Sequence, residues 1–170
     1  VAYLHATQLL ERAEHFGTLV LNKPRGLMAA NEKLYALNFP EVLPRTLVTQ
    51  DMERAKAFAE ELGGVCMVKP VDGHGGEGIF MLRTDDRNMN AILETSSTHG
   101  SLAIMCQEYV PAARQGDKRI LMLHGTPLGA ILRVPQQNDH RGNIHVGGTV
   151  AKTSLTPRAL EICEALAPRL

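Results

Sequence analysis

Apolar residues recur along the chain with two different periods, and the places where the period changes mark its elements. Leu4, Leu9, Leu10, Ala13 and Phe16 return at helical spacing opposite Glu11, Arg12 and Glu14, which predicts an amphipathic helix from Tyr3 to Phe16. A short strand is expected at 18–21 and a turn at Asn22-Lys23-Pro24-Arg25-Gly26, after which Asn31 reads as the cap of a helix carrying Glu32, Lys33, Leu34, Tyr35 and Leu37. Pro40 and Pro44 break the pattern. Thr46 to Thr49 is strand-like, and Asp51 to Leu62 predicts a helix with Met52, Ala55, Phe58, Ala59 and Leu62 on one face, ended by Gly63-Gly64. Two apolar runs with a glycine-rich loop between them occupy Val65 to Leu82. After a polar turn at Asp85-Asp86, a helix is expected from Met89 to His99, stopped by Gly100, and a strand from Ala103 to Val110, closed by Pro111. The order strand, helix, strand, strand, helix, strand describes an α+β unit over roughly 31–110, its mostly antiparallel sheet covered on one face by two helices.

Beyond Pro111 the texture changes. A polar turn from Ala112 to Lys118 leads into a hairpin, Arg119 to His124 and Leu128 to Val134, turned at Gly125-Thr126-Pro127; Arg119 and Arg133 stand at its open ends and face one space. The segment 135–148, Pro-Gln-Gln-Asn-Asp-His-Arg-Gly-Asn-Ile-His-Val-Gly-Gly, is polar, aperiodic and longer than most connections in compact domains. Loops of this kind are functional lids or disordered. Its Gly142, Gly147 and Gly148 give hinge-like freedom, and Arg141 lies where closure would carry a cation onto a bound anion. A last helix is expected from Thr156 to Leu170, with Pro157 in its first turn and Leu160, Cys163, Leu166, Ala167 and Leu170 apolar.

The most chemically pointed stretch is Val65-Cys-Met-Val-Lys69-Pro-Val-Asp-Gly73-His-Gly75-Gly76-Glu-Gly78-Ile-Phe-Met-Leu82. Lys69 closes the first apolar run, and glycines at 73, 75, 76 and 78 leave the loop backbone free to take positive φ and to bring N–H groups against anionic oxygens. It reads as a flap over nucleotide phosphates. Neither the P-loop nor the dinucleotide fingerprint has this spacing, and a tight β-hairpin with a glycine-rich tip is the plainer alternative. Lys33, in the first turn of its predicted helix, opposes the helix dipole by about a few tenths of a kcal/mol, so it either faces solvent or meets an anion.

Composition narrows the classes. Eighteen basic residues against eighteen acidic give zero formal charge with no basic stripe, which argues against nucleic acid or a membrane surface as partner; any anion is met locally. With 44% hydrophobic residues the chain is globular. Cys66, Cys106 and Cys163 each lie in an apolar run and read as buried thiols, consistent with a reducing cytoplasm. His124, His140 and His145 match no zinc spacing and read as solvated. The sequence shows no signal peptide and no apolar run that would span a bilayer, and it opens without a methionine inside what reads as a helix, as a fragment would.

Lys33 in Asn-Glu-Lys-Leu, the Val68-Lys-Pro-Val-Asp-Gly-His-Gly-Gly-Glu-Gly78 segment, Gln107-Glu108-Tyr109-Val110, Gly116-Asp117-Lys118-Arg119, Arg133-Val-Pro-Gln, Arg141-Gly142-Asn143 and Gly147-Gly148 together resemble the prokaryotic glutathione synthetases, which are ATP-grasp ligases. The resemblance runs in order along nearly the whole chain. It implies an α+β ATP-grasp fold in which two subdomains, each a mostly antiparallel sheet packed with helices, hold ATP between them. Residues 1–30 would close an N-terminal domain, 31–110 would form the central subdomain and 111–170 the first part of the C-terminal one. It further implies that Lys33 and Lys69 hold the ATP phosphates under Gly73, Gly75, Gly76 and Gly78. Gln107, Glu108, Tyr109 and Val110 would form the adenine hinge with Val68 and Val110 about the ring, and Asp117 would take the ribose. Arg133 would neutralise the transferred phosphoryl group, and Arg119 and Arg141, with Gly142 and Asn143, would bind peptide carboxylates. The three arginines are the catalytic candidates.

The implied reaction joins γ-glutamylcysteine to glycine at the expense of ATP through an acyl phosphate. Magnesium is implied as well, with ligands expected beyond residue 170 and none assigned within this chain, so the chain alone would not be expected to ligate. Homo-oligomerisation is a family expectation. Two other readings share the ATP residues: a different ATP-grasp amino-acid or peptide ligase, such as a D-alanine ligase, and a nucleotide-binding module without turnover.

Overall fold

The computed structural model describes residues 2–139 and 141–169. His140 and the last position of the expected C-terminal helix, Leu170, lie outside the described residues. The chain divides into two compact units, one up to Pro40 and one from Glu41 on.

In the first unit, α1 (Ala2–His15) obeys the helical periodicity, and α2 (Pro24–Ala29) starts at the expected turn, with Pro24 at the position where a missing N–H costs nothing. Lys23 pairs with Glu14 at 2.6 Å and Arg25 with Glu11, tying the two helices. The strand expected at 18–21 does not form: it pairs with no strand among the described residues, and Leu19 and Leu21 are 84% and 86% exposed. Asn31 does cap the chain, its Oδ1 accepting from the N–H groups of Lys33 and Leu34. The capped segment is a turn and a 3-10 helix, Tyr35–Asn38, not an α-helix, so Lys33 sits in a turn where the helix-dipole argument does not apply.

The second unit opens with β1 (Thr46–Thr49) and α3 (Met52–Glu61), whose N-cap Asp51 accepts from Glu53 and Arg54 N–H. Next come β2 (Val65–Pro70), β3 (Phe80–Arg83), α4 (Met89–Ser97) and β4 (Ile104–Glu108). The helix α4 stops two residues before the expected His99, because Thr98 and His99 both take positive φ. The four strands form one antiparallel sheet, as expected, and its order is β1-β4-β2-β3. Alternation along the strands sends Cys66, Val68, Leu82, Ile104 and Cys106 to the helix side, where they bury completely against Ala55 and Ala59 of α3 and Leu93 of α4. The alanines let α3 lie close to the sheet. Cys66 and Cys106, on adjacent strands, are free and buried, and the thiol of Cys106 is pushed up by its hydrogen bond to Cys66 and by burial.

The polar turn after Pro111 is a 3-10 helix, Pro111–Gln115, and the hairpin arms are longer than expected: β5 (Asp117–Leu123) and β6 (Thr126–Val134). Leu123 pairs with Thr126, so the turn is the two residues His124-Gly125, both at positive φ, one position earlier than Gly125-Thr126-Pro127. That is the geometry matching the right-handed twist of the arms. A third strand, β7 (Thr149–Thr153), lies along β6; its Thr-Val-Ala-Lys-Thr lacks the apolar alternation that would have revealed it. The helix α5 (Pro157–Leu166) is capped by Thr156 and extended by a 3-10 turn to Arg169. Among the described residues no helix is long and apolar enough to cross a membrane.

Leu93 is fully enclosed between α3, α4 and the sheet. Leu93→Ala should cost about 2–5 kcal/mol in urea-induced unfolding; a loss below about 1 kcal/mol would mean that the helices do not seal this face.

Candidate nucleotide site and arginine cluster

The face of the four-stranded sheet away from the helices carries Thr46, Met67, Lys69 and Gln107, the residues that alternate with the buried set. Thr46 stands opposite Gln107, and Gln107 opposite Met67, which places Lys69 diagonally beside Gln107. Lys69 Nζ donates to Gln107 Oε1 at 2.6 Å, Gln107 Nε2 donates to Thr46 Oγ1 at 2.9 Å, and Thr46 Oγ1 donates to the Pro44 carbonyl at 2.7 Å. A relay across three strands thus orients the ammonium through the Gln107 side chain. Val68 points the other way. It is fully buried against the helices, so the expected sandwich of an adenine ring by Val68 and Val110 does not hold; Met67 is on the open face, and Val110 is exposed.

The remaining hinge side chains are engaged with protein. Glu108 donates its backbone N–H to the Arg45 carbonyl while its carboxylate accepts from the Arg45 N–H, and the Tyr109 hydroxyl accepts from Arg114 Nε at 2.8 Å. Lys33, in the first unit, has a side chain only 11% exposed, with Nζ 2.8 Å from Glu32 Oε1.

The glycine loop curls back on the end of β2. A Cβ at Gly73 would stand 2.7 Å, and one at Gly78 3.0 Å, from Pro70 Cγ, while Gly75, Gly76 and Gly78 hold positive φ. Only glycine fits such a turn without strain. At Gly75 a Cβ would meet nothing nearer than His145 at 3.9 Å, so this side of the loop is not crowded and its backbone is open to an anion. These residues fit a nucleotide's phosphates.

On the second sheet, Asp117 pairs in register with Arg133, and Arg119 with Ile131, so the two arginines share one face of the hairpin and Asp117 lies there with them. Arg133 donates from Nε to Asp117 Oδ1 at 2.7 Å and lies within 2.6 Å through its second nitrogen. Arg141 is held by Asp139: Nε reaches Oδ1 at 3.0 Å and Nη2 reaches Oδ2 at 2.7 Å, and this pairing raises the guanidinium pKa. Gly142 is buried against the Asp117–Arg133 pair, where a Cβ would lie 2.6 Å from Asp117 Oδ2 and 3.2 Å from the Arg133 carbonyl. Arg141 Nη1 donates to the Gly76 carbonyl at 3.2 Å, and a Cβ on Gly76 would stand 2.9 Å from Asn143 Oδ1. Among its described residues the segment 135–148, expected as a lid or a disordered loop, holds turns, including the 3-10 helix Ile144–Val146, and Arg141 joins it to the glycine loop.

Thr46 and Asp139 were not singled out from sequence. Thr46 needs the strand order β1-β4-β2 to be seen. Asp139 carries a local signal: an Asp two residues before an Arg, whose Oδ1 takes the Arg141 N–H at 2.9 Å in an Asx turn. Among the described residues no three His, Cys, Asp or Glu side chains gather as a metal centre, and Asp117 is committed to Arg133. The described residues do not offer a ligand set that fits a magnesium ion.

Solved structures share this architecture. The D-cycloserine synthetase DcsG matches 96% of the chain and 59% of its own, with TM-score 0.69 at 17% identity, and the ATP-grasp ligase PsnB with a minimal precursor matches 95% and 50%, with TM-score 0.62 at 24% identity. The fold is that of the ATP-grasp proteins. The family model described as prokaryotic glutathione synthetase, ATP-grasp domain, matches residues 32–170. Glutathione synthetases of Thermosynechococcus vestitus, Gloeobacter violaceus and Vibrio parahaemolyticus are 48%, 49% and 44% identical over 99% of the chain. The chain belongs to the prokaryotic glutathione synthetase family. It spans about half the length of these curated relatives, 53% in each case.

Gln107→Leu keeps the side-chain size but removes the acceptor for Lys69 and the donor for Thr46. It should lower stability by about 1–2 kcal/mol in chemical denaturation; an unchanged midpoint would mean that the relay contributes nothing.

Proposed function

We propose that this protein is an ATP-dependent carboxylate–amine ligase that condenses γ-glutamylcysteine with glycine, forming glutathione and releasing ADP and phosphate. The observation that carries this reading is convergence: Arg141, Gly142 and Asn143 of one loop stand against Gly76 of the glycine loop and against the Asp117–Arg133 pair of the second sheet. Groups suited to phosphates and groups suited to carboxylates therefore lie in contact. The curated relatives are named glutathione synthetases, which supports glutathione synthesis, and the two substrates follow from the family resemblance.

In this reading ATP supplies the phosphoryl group, and each protein group has one task. Lys69, oriented by Gln107, and Lys33 hold phosphate oxygens as point charges, while Gly73, Gly75, Gly76 and Gly78 bring backbone N–H groups to the same oxygens. The backbone at 107–110 takes the adenine edge, and Asp117 accepts from the ribose hydroxyls. Arg133 faces the charge that develops on the transferred phosphoryl group, and Arg119 and Arg141, with Gly142 and Asn143, hold the peptide carboxylates by their planar forks. The peptide carboxylate takes up the phosphoryl group as an acyl phosphate, and the amine of glycine displaces phosphate from it. Water must be kept away between these steps, which is the task of the 135–148 loop. Homo-oligomerisation and a cytoplasmic location belong to the same proposal.

Lys69→Ala should weaken nucleotide binding by about 2 kcal/mol with the fold retained, since a half-buried surface cation contributes more to the anion than to stability. Unchanged affinity on calorimetric titration of the folded variant would refute the phosphate role. The substrate assignment is tested by phosphate release from the intact protein with γ-glutamylcysteine while the amine acceptor is varied. Release that depends on glycine supports it, and release that depends instead on another amine would replace it with a different ATP-grasp ligase.

A further inference from the structure

Two loops 65 residues apart in sequence are joined at one backbone carbonyl. Gly76 is buried, at φ +88, with the Asn143 amide against one side and Arg141 Nη1 donating to its carbonyl. The guanidinium is planar, so the edge it gives to one partner fixes where its remaining donors point. Asp139 takes the Nε–Nη2 edge in a two-point contact, and Asp139 is itself set by its N–H to the Gln136 carbonyl and by accepting the Arg141 N–H. With Asp139 in place, Nη1 has one direction, and that direction is the glycine loop.

We propose that Asp139 is a positioning residue that locks Arg141 onto the Gly76 carbonyl, so that the glycine loop and the 135–148 loop move as one piece. Resting on the reading of the glycine loop as a phosphate flap, the latch makes nucleotide binding felt at the arginine that receives the peptide carboxylate. Phosphates that order Gly73–Gly78 order Arg141 through the same carbonyl, before any peptide arrives. Arg141 and Asp139 side chains are 29% and 18% exposed, which makes the pair a partly screened contact and sets a modest scale for its effect.

The experiment is limited trypsin digestion after Arg141 in the intact protein, without ligand and with saturating AMP-PNP, alongside calorimetric titration of AMP-PNP. Asp139→Asn keeps the shape and removes the charge. It should raise ligand-free cleavage about fivefold, the equivalent of losing one partly exposed charged contact. AMP-PNP affinity should stay within about twofold while its protection of the bond after Arg141 is lost, a split that loss of fold would not produce. Asp139→Glu should restore protection, and Asn143→Ala, which removes the other side of the clamp on Gly76, should abolish it. Wild-type cleavage and wild-type protection in Asp139→Asn would overturn the latch. If AMP-PNP does not bind the wild-type protein, the phosphate reading fails, and the ligand-free cleavage rates of the variants still decide whether the latch exists.

Discussion

The constraint on which the site depends is the alternation of β2. Cys66 and Val68 enter the core against α3 and α4 together with Leu82, Ile104 and Cys106 of the neighbouring strands. Met67 and Lys69 are thereby turned to the open face. A slip of one residue would bury the ammonium and expose valine, which costs far more than any hydrogen bond in the site returns. The relay from Thr46 through Gln107 then refines a direction that packing has already chosen. The phosphate contact proposed for Lys69 thus rests on an apolar layer on the opposite face of the sheet.

Much of this frame was legible in the sequence, for a physical reason. Strands with one buried face and helices with one apolar stripe announce themselves by period, so the sequence of elements from Thr46 to Val110 and the antiparallel character of their sheet could be read, while the order of the strands within it could not. The failures lie where one of those signals is missing or misleading. β7 is exposed along most of its length and has no apolar alternation, and its place is set by hydrogen bonds to β6. The segment 18–21 is a short apolar run that pairs with no strand among the described residues, so its leucines remain exposed. The placement of Val68 beside adenine went wrong because a residue next to a functional lysine in sequence lies on the opposite face of a strand.

For the site itself the sequence identified residue types better than partners. Lys69, Arg119, Arg133 and Arg141 were recognisable as cations in suggestive places, but nothing in a linear string shows that Asp117 faces Arg133 across a ladder or that Arg141 reaches Gly76. The glycines carry a second meaning of the same kind. Gly142 looked like a hinge, whereas the structure gives it a steric reason: the Asp117 carboxylate and the Arg133 carbonyl occupy the space that a side chain would need.

The charge arrangement bears on how such a site would handle anions. The chain is neutral overall, and two of its three arginine candidates are already paired, Arg133 with Asp117 and Arg141 with Asp139, while Arg119 has no ion pair among the described residues. Bare arginines would attract anions more strongly but would have to be brought into position as charge develops. Paired ones attract less and are already oriented, and orientation is what acceleration of the chemical step requires. Arg133 shows this best: its side chain is 14% exposed, fixed at two points by a carboxylate on the neighbouring strand, and set in register by a β-ladder. For phosphoryl transfer, where positioning and field carry nearly all of catalysis, a guanidinium held this way loses little freedom when the transition state forms. The sheet that fixes Arg133 and the loop that fixes Arg141 therefore matter to the proposed reaction as much as the charges they carry.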